Sequence, residues 1–266
     1  MNTMQRAPAA APERATRPGS AVILASGLLL LLVQLLPGPR LWPVLPVMCL
    51  FIVAFFLGDL PAVHITLFIA ALVILPLLHP LLRAWPLHLL AATALYFLVA
   101  ISVTRLRRGL GWLRAGCLHP QVMHAVAATS LVSAGALYGW YRLLRPDLAV
   151  HLAHFPVMPS WLLPLAGLGF ACGNAALEEL AFRGIIMQAF ESALGAGWPA
   201  LGCQAALFGA MHFRQGFPNL GWGLVMTIVY GVLLGALRRQ SQGMLAPWLA
   251  HVFADGAIFV ILAAQL

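Results

Sequence analysis

Long apolar stretches separated by short turns run through most of the chain, and they constrain its fold more than any other feature. Of its 266 residues, 62% are hydrophobic and 8% are charged, and the mean hydropathy is +0.93. A soluble domain carries about 25% charged residues, whereas a helix that crosses a bilayer needs about 20 largely apolar residues. We therefore predict an all-α fold, a polytopic transmembrane helical bundle of about eight or nine spans. The candidate spans are 21–37, 41–57, 62–81, 86–103, 121–141, 160–189, 199–212, 220–237 and 246–264.

The distribution of arginine predicts how the bundle is oriented. All fifteen basic residues are arginine, and the net charge is +8. Leaving out Arg183, which lies within a span, the candidate spans place nine arginines on the side of the N-terminus and five on the other side. Basic residues are enriched in cytoplasmic loops, so we expect a cytoplasmic N-terminus. In so apolar a chain this charge indicates contact with the lipid bilayer, and we expect no nucleic-acid partner.

Composition divides the chain into four parts. Residues 1–20, rich in Ala, Pro and Arg, are predicted to be a disordered cytoplasmic N-terminus. Residues 21–103 are predicted to be N-terminal accessory transmembrane helices, with almost no ionisable groups. Residues 104–119 are a basic interfacial loop, which we expect on the anionic inner leaflet. Residues 120–266 hold all the acids predicted within the membrane, and we expect them to form the catalytic transmembrane core.

Ionisable residues cluster in the apolar stretch 175–184, Ala-Ala-Leu-Glu-Glu-Leu-Ala-Phe-Arg-Gly. One ionised side chain at mid-bilayer depth costs roughly 2.5 to 3.5 kcal/mol, so such a cluster is by default a functional-site hypothesis. Glu179 and Arg183 are four residues apart and can pair on one helix face, while Glu178 points about 100° away. Two interpretations stay open: a working Glu178 beside a structural Glu179–Arg183 pair, or a charge network that is purely structural.

Two further motifs place histidines in apolar segments. Phe208-Gly-Ala-Met-His212 ends a short apolar helix, and His251-Val-Phe-Ala-Asp255 puts a histidine four residues before the only acid of the last span. The structural alternatives are a helix-end histidine for His212 and a His251–Asp255 pair that locks two helices together. Glu178 and these groups lie at similar predicted depths, so they can converge on one cavity.

Such a set of groups is suited to peptide hydrolysis. A carboxylate in an apolar site can take a proton from water, and two imidazoles can orient that water and stabilise the oxyanion formed at an amide carbonyl. The alternative is a divalent metal such as zinc, held by Glu178, His212 and His251. No HExxH motif is present, and the spacing of these residues is not a local metal motif, so no cofactor is assigned with certainty.

Taken in order, the three motifs resemble those of a known family. They are Glu178-Glu179-x-x-x-Arg183, Phe208-x-x-x-His212 and His251-x-x-x-Asp255. The family is CPBP, the CAAX-processing and bacteriocin-processing intramembrane proteases. It is also called the ABI family, and it includes the type II CAAX prenyl endopeptidases. The resemblance covers roughly residues 120–264 and implies an all-helical membrane protease with its site within the bilayer.

The resemblance also implies a role for each motif residue. Glu178 would be the general base, His212 would help to activate the water, and His251 and Asp255 would line the oxyanion side. The remaining residues would hold the helix and the substrate-facing cavity in place: Glu179, Arg183 and Phe208. The prenyl-protein members of the family have Asn at the position of Asp255, and other members accept either residue.

We expect an endopeptidase of a bacterial-type inner (plasma) membrane that acts on a membrane-associated protein or peptide. By family analogy, the candidate substrates are tails of envelope-sorted proteins, leader peptides and prenylated tails. Two other classes stay open. One is a non-catalytic membrane partner, such as an immunity or scaffold protein that retains the motifs. The other is a proton-coupled transporter relaying protons through Glu178 and Asp255, which the lack of paired halves disfavours.

Overall fold

The computed structural model describes residues 14–36, 41–153, 155 and 157–265, and the regular elements in these residues are all helices. This confirms the predicted all-α class. Short 3-10 turns lie at Pro80–Arg83, Arg108–Leu110 and Ser160–Leu162, and a π-helical segment, Leu180–Ile186, joins α8 to α9. The helices are α1 (Arg17–Leu35), α2 (Val44–Leu57), α3 (Leu60–Leu78), α4 (Leu87–Ser102), α5 (Thr104–Arg107), α6 (Pro120–Leu144), α7 (Ala149–Leu152), α8 (Leu163–Glu179), α9 (Met187–Leu194), α10 (Trp198–Gln215), α11 (Leu220–Ser241) and α12 (Leu245–Ala263).

Six helical segments of the described chain are long and apolar enough to cross a membrane. A seventh is added if α4 and the segment Thr104–Leu110, bent by 104°, count as one span. The predicted count of eight or nine is not confirmed, because α2 has only 14 residues and α10 carries the polar residues Gln204, His212 and Arg214. The six segments are Arg17–Leu35, Leu60–Leu78, Pro120–Leu144, Ser160–Leu194, Gly221–Ser241 and Leu245–Ala263.

Helix α1 starts at Arg17, four residues before the predicted first span and within the segment predicted to be disordered. The Thr16 side chain caps this start by accepting a hydrogen bond from the Gly19 N–H at 3.0 Å. Thr16 in turn donates to the Asp59 carboxylate through its N–H at 2.7 Å and its hydroxyl at 2.9 Å. The cap therefore ties the beginning of α1 to the α2–α3 turn. Residues 1–13 lie outside the described residues.

Further contacts between helix ends collect several turns at one end of the bundle. The Ala15 N–H donates to the Ser192 carbonyl near the end of α9 at 3.1 Å, and the Cys117 N–H donates to the Ser241 carbonyl at the end of α11 at 2.8 Å. We call this the basic end, after the arginines that the described residues place there. They are Arg14, Arg17, Arg105, Arg107, Arg108, Arg114, Arg238 and Arg239.

The opposite end is defined by contacts of the same kind. Arg214 in the last turn of α10 donates to the Leu35 carbonyl at the end of α1 at 3.1 Å, and Gln265 donates to the Tyr141 hydroxyl near the end of α6 at 2.9 Å. The arginines predicted on the side of the N-terminus thus share one end of the bundle, apart from Arg6, which lies outside the described residues.

One hydrophobic core joins the N-terminal helices to the C-terminal ones. Ile23 of α1, Phe68 of α3 and Phe190 of α9 belong to the same cluster of buried side chains. Helix α1 passes so close to α9 that a Cβ atom at Gly27 would lie 2.5 Å from the Phe190 ring. The N-terminal helices therefore pack directly against the segment that follows the acidic motif.

We predict that Gly27→Leu lowers the free energy of unfolding by about 1–3 kcal/mol, the usual cost of overpacking a core. Thermal unfolding of the purified protein in detergent measures this loss. Gly135→Leu is the matched control, because a Cβ atom at Gly135 meets no other atom within 4 Å. Equal losses in the two variants would contradict the packing argument.

Candidate active site

Helix α8 supplies the first polar side chains of the site. Asn174 and Glu178 lie four residues apart on one face, and Glu178 and Glu179 end the regular helix. The two glutamates are 3% and 1% exposed, so both carboxylates are buried. The chain then enters the π-helical segment Leu180–Ile186, which contains Arg183. Turns of this kind are rare and occur frequently at functional sites.

The structure confirms the predicted pair of Glu179 and Arg183. Arg183 Nη1 donates to Glu179 Oε1 at 2.9 Å, and the Arg183 side chain has no exposed surface. The guanidinium carbon also lies 4.2 Å from the centre of the Phe208 ring, at which distance a desolvated cation is attracted to the ring face. The pair and this contact together fix the π-helical segment against α10.

His251 of α12 lies among three carboxylates. Its Nδ1 is 2.7 Å from Glu179 Oε1, and its Nε2 is 3.4 Å from Glu178 Oε2 and 3.7 Å from Asp255 Oδ1. An ionised carboxylate only accepts hydrogen bonds, so the Nδ1–H donates to Glu179. The remaining ring nitrogen is the one that lies nearest to Glu178 and Asp255. Three predicted catalytic residues are therefore brought together from two helices.

Asn174 is a site residue that sequence analysis missed. Its Nδ2 donates to Asp255 Oδ2 at 2.9 Å and to Glu178 Oε1 at 3.3 Å. One amide thus bridges the carboxylates of α8 and α12, and it fixes the direction in which Asp255 points. An uncharged side chain does not stand out by charge, but its spacing of four residues from Glu178 within an apolar helix was a usable signal.

His212 of α10 reaches the same region without a hydrogen bond to the carboxylates among the described residues. Its Nδ1 lies 2.9 Å from the Phe208 carbonyl oxygen. A carbonyl only accepts, so the proton is on Nδ1 and the neutral ring keeps a lone pair on Nε2. The Phe208 ring is packed against both histidines, with its centre 4.6 Å from that of His212 and 6.0 Å from that of His251.

A cavity of about 210 Å³ lies beside this group of side chains. His212, His251 and Asp255 line it together with Tyr230, while Glu178 lies behind His251 and is not part of its wall. Tyr230 packs edge-on against His251 at 5.5 Å between ring centres and donates its hydroxyl to the Ala250 carbonyl at 3.1 Å. The polar groups therefore occupy one side of a cavity whose other walls are largely apolar.

The apolar walls of the cavity come from α6 and α11. Val132 of α6 and Val225 and Val229 of α11 line it, yet they are 61%, 55% and 56% exposed on the outside of the bundle. The cavity therefore opens sideways between these two helices. It also reaches Phe217 and Pro218, which follow α10 at the end opposite the basic end.

Several buried polar atoms of the site make no hydrogen bond within the described part of the chain. Buried polar groups are normally paired, so these atoms are available to a water molecule or a peptide group. One of them, Glu178 Oε2, lies 3.4 Å from His251 Nε2. The atoms are Glu178 Oε2, Glu179 Oε2, Asn174 Oδ1, Arg183 Nε and Arg183 Nη2.

A metal at Glu178, His212 and His251 would need three donors that converge. Within the described residues, no group of three or more His, Cys, Asp or Glu side chains is arranged to hold a metal ion. The hydrogen bond of His212 stays within its own helix. The arrangement does not fit a metal as it stands, and metal dependence stays a prediction.

We predict that Arg183→Met lowers the free energy of unfolding by about 3–5 kcal/mol, because it leaves Glu179 buried without its cation. The double change Glu179→Gln with Arg183→Met should recover part of this loss. Thermal unfolding of the purified variants measures both effects. Arg145→Met removes an exposed arginine at the opposite end, and a loss as large as that of Arg183→Met would argue against a special role of the buried pair.

Comparison with known proteins finds one family model that matches part of the chain. Residues 159–257, which hold all the site residues described above, match the family model described as "Type II CAAX prenyl endopeptidase Rce1-like". No curated protein and no solved structure matches the chain. The match confirms the resemblance drawn from the three motifs, and this family indicates a protease of membranes. Residues 159–257 are therefore similar to the type II CAAX prenyl endopeptidase Rce1-like domain, which is consistent with the CPBP family.

Proposed function

We propose that this protein is an intramembrane endopeptidase that hydrolyses a peptide bond in a membrane-associated protein or peptide. The observation that carries the proposal is the convergence of Glu178, His251 and Asp255 within 3.4–3.7 Å, at the edge of a cavity that opens between helices. A purely structural network has no need of such a cavity. The general activity is that of the matched family.

Glu178 is the proposed general base. Its Oε1 is held by Asn174, while its buried Oε2 has no hydrogen-bond partner among the described residues and can accept a proton from water. His212 is proposed to orient that water from the other side, because its Nε2 keeps a lone pair when Nδ1 is bound to the Phe208 carbonyl. The resulting hydroxide attacks the carbonyl carbon of the peptide bond.

His251 is proposed to face the oxyanion that this attack creates. With Nδ1–H held by Glu179, a second proton on Nε2 would make the ring an imidazolium whose free N–H donates to the oxyanion. Asp255 completes this side of the site by holding Asn174 and by lying beside Nε2. When the tetrahedral intermediate collapses, the C–N bond breaks and Glu178 returns its proton to the leaving amine.

The cavity supports a substrate that is embedded in the bilayer. Its walls are largely apolar, and its opening between α6 and α11 faces the lipid in a membrane-spanning bundle. An extended peptide or an apolar tail can therefore enter without crossing water. The substrate classes that fit are tails of envelope-sorted proteins, leader peptides and prenylated tails.

The arginines support a membrane orientation. Eight described arginines share the basic end, so the positive-inside rule favours a cytoplasmic basic end and N-terminus. By family analogy we propose that this membrane is a bacterial inner membrane. The cavity extends toward the other end, at Phe217 and Pro218. This direction favours substrates that approach from the outer half of the bilayer, such as tails of envelope-sorted proteins.

We predict that Glu178→Gln abolishes cleavage while the protein still inserts and accumulates, because an amide cannot accept the proton from water. The measurement compares the termini of membrane proteins in cells that carry wild-type or variant protein, with the amount of each variant determined by immunoblotting. Asp147→Asn is the matched control, since it makes the same chemical change at an exposed carboxylate. Unchanged termini in Glu178→Gln cells would favour a non-catalytic partner instead.

The metal-dependent alternative is tested on a substrate found in this way. The side-chain mechanism predicts that the purified protein keeps its activity after treatment with a strong chelator and contains no stoichiometric zinc by elemental analysis. Loss of activity on chelation, restored by added zinc, would replace this mechanism with one in which Glu178, His212 and His251 converge on a metal.

A further inference from the structure

The basic loop, residues 104–119, is fixed to the bundle by two buried side chains. Leu106 and Trp112 are 8% and 5% exposed. The Leu106 carbonyl accepts a hydrogen bond from His64 Nε2 at 3.0 Å, and the Trp112 ring packs near Phe97 at 6.1 Å between ring centres. The loop is therefore held in a defined position on α3 and α4.

Trp112 also reaches the helix that carries the acidic motif. A Cβ atom at Gly184 would lie 2.3 Å from the Trp112 ring, so the ring occupies the space that any other residue would fill. Gly184 follows Arg183 within the π-helical segment. A movement of the loop at Trp112 would therefore act on the segment that places the Glu179–Arg183 pair.

The far part of the loop binds the start of α12 through its backbone. The Met244 N–H donates to the Arg114 carbonyl at 2.9 Å, and the Leu245 N–H donates to the Ala115 carbonyl at 3.1 Å. The first N–H groups of a helix lack partners within the helix, and no side chain caps α12. The loop supplies this cap, and His251 follows in the second turn of the same helix.

The outward side of the loop carries unpaired positive charge. Arg107, Arg108 and Arg114 are exposed, and they make no side-chain hydrogen bond or ion pair with the residues that the structure describes. The described acids of the basic end are already engaged. Asp59 holds the starts of α1 and α3, and Glu191 is paired with two arginines of α11.

We propose that the basic loop binds anionic lipid headgroups, and that this contact stabilises the arrangement of the π-helical segment and α12. Exposed arginines that lack acidic partners at the end of a membrane bundle are complementary to an anionic leaflet, where each strengthens association roughly fivefold. Trp112 and the loop carbonyls connect this surface to both helices that meet at the site. An effect of this coupling on proteolysis rests on the proposed function. The coupling between the lipid contact and the two helices does not.

The test is hydrogen exchange of the full-length protein in nanodiscs of two compositions. One contains phosphatidylcholine alone, and the other replaces about a third of it with phosphatidylglycerol. We expect amide exchange in peptides covering 104–119 and 242–251 to slow by about fivefold or more in the anionic discs. The change should be largely lost in the double variant Arg107→Gln with Arg108→Gln, which leaves Arg114 as the only one of the three. It should persist in the matched control Arg142→Gln with Arg145→Gln, two exposed arginines at the opposite end.

Each outcome decides one part of the proposal. Equal exchange in the two discs would overturn lipid binding, and slower exchange confined to 104–119 would overturn the coupling to α12. Trp112→Phe distinguishes the coupling through Gly184 from the coupling through the start of α12. It weakens the contact of the ring with Gly184 and leaves the hydrogen bonds of the loop carbonyls to α12. A protein that is inactive in both discs but shows the lipid-dependent exchange would count against the protease function and leave the lipid contact supported.

Discussion

The burial of charge inside an apolar bundle is the constraint on which the site depends. Three carboxylates, those of Glu178, Glu179 and Asp255, are buried with one guanidinium and one imidazole. Each unpaired charge in such a place would be costly. The site avoids this cost because the carboxylates share donors. Glu179 Oε1 accepts hydrogen bonds from both Arg183 and His251. The Asn174 amide donates to the other two carboxylates, those of Glu178 and Asp255. Removing any one of these side chains therefore changes the hydrogen bonds and charge balance of the others.

This network also determines how α8 and α12 meet. Two hydrogen bonds between these helices, from His251 to Glu179 and from Asn174 to Asp255, involve groups buried on each side. The π-helical segment brings Arg183 back onto Glu179 while its ring contact is made with α10. Three helices are thus held together by these contacts, and the cavity lies between them and the lining residues of α6 and α11.

Sequence reasoning succeeded where a single helix decides the geometry. The Glu179–Arg183 pair follows from a spacing of four residues, and the structure contains it. The hydrogen bond from Asn174 to Asp255 and the position of His212 beside the site depend on how different helices pack, and no spacing within one helix contains that information. The number of spans was less predictable for a related reason. The apolar stretch at α2 forms a helix of only 14 residues. Its depth in the bilayer depends on the helices that pack against it, and the sequence of α2 does not contain that information.

The contacts of Asp255 show which property the site requires of the final residue in the motif His251-x-x-x-Asp255. Asp255 accepts from Asn174 through one oxygen, a task that an asparagine can perform with its own carbonyl oxygen. The feature common to Asp and Asn is therefore an acceptor on α12 for the amide of α8. The negative charge of Asp lies 3.7 Å from His251 Nε2, where an imidazolium would balance it. In the proposed mechanism the N–H of His251 meets the oxyanion, while Asp255 holds Asn174 in place and lies beside Nε2 of this ring.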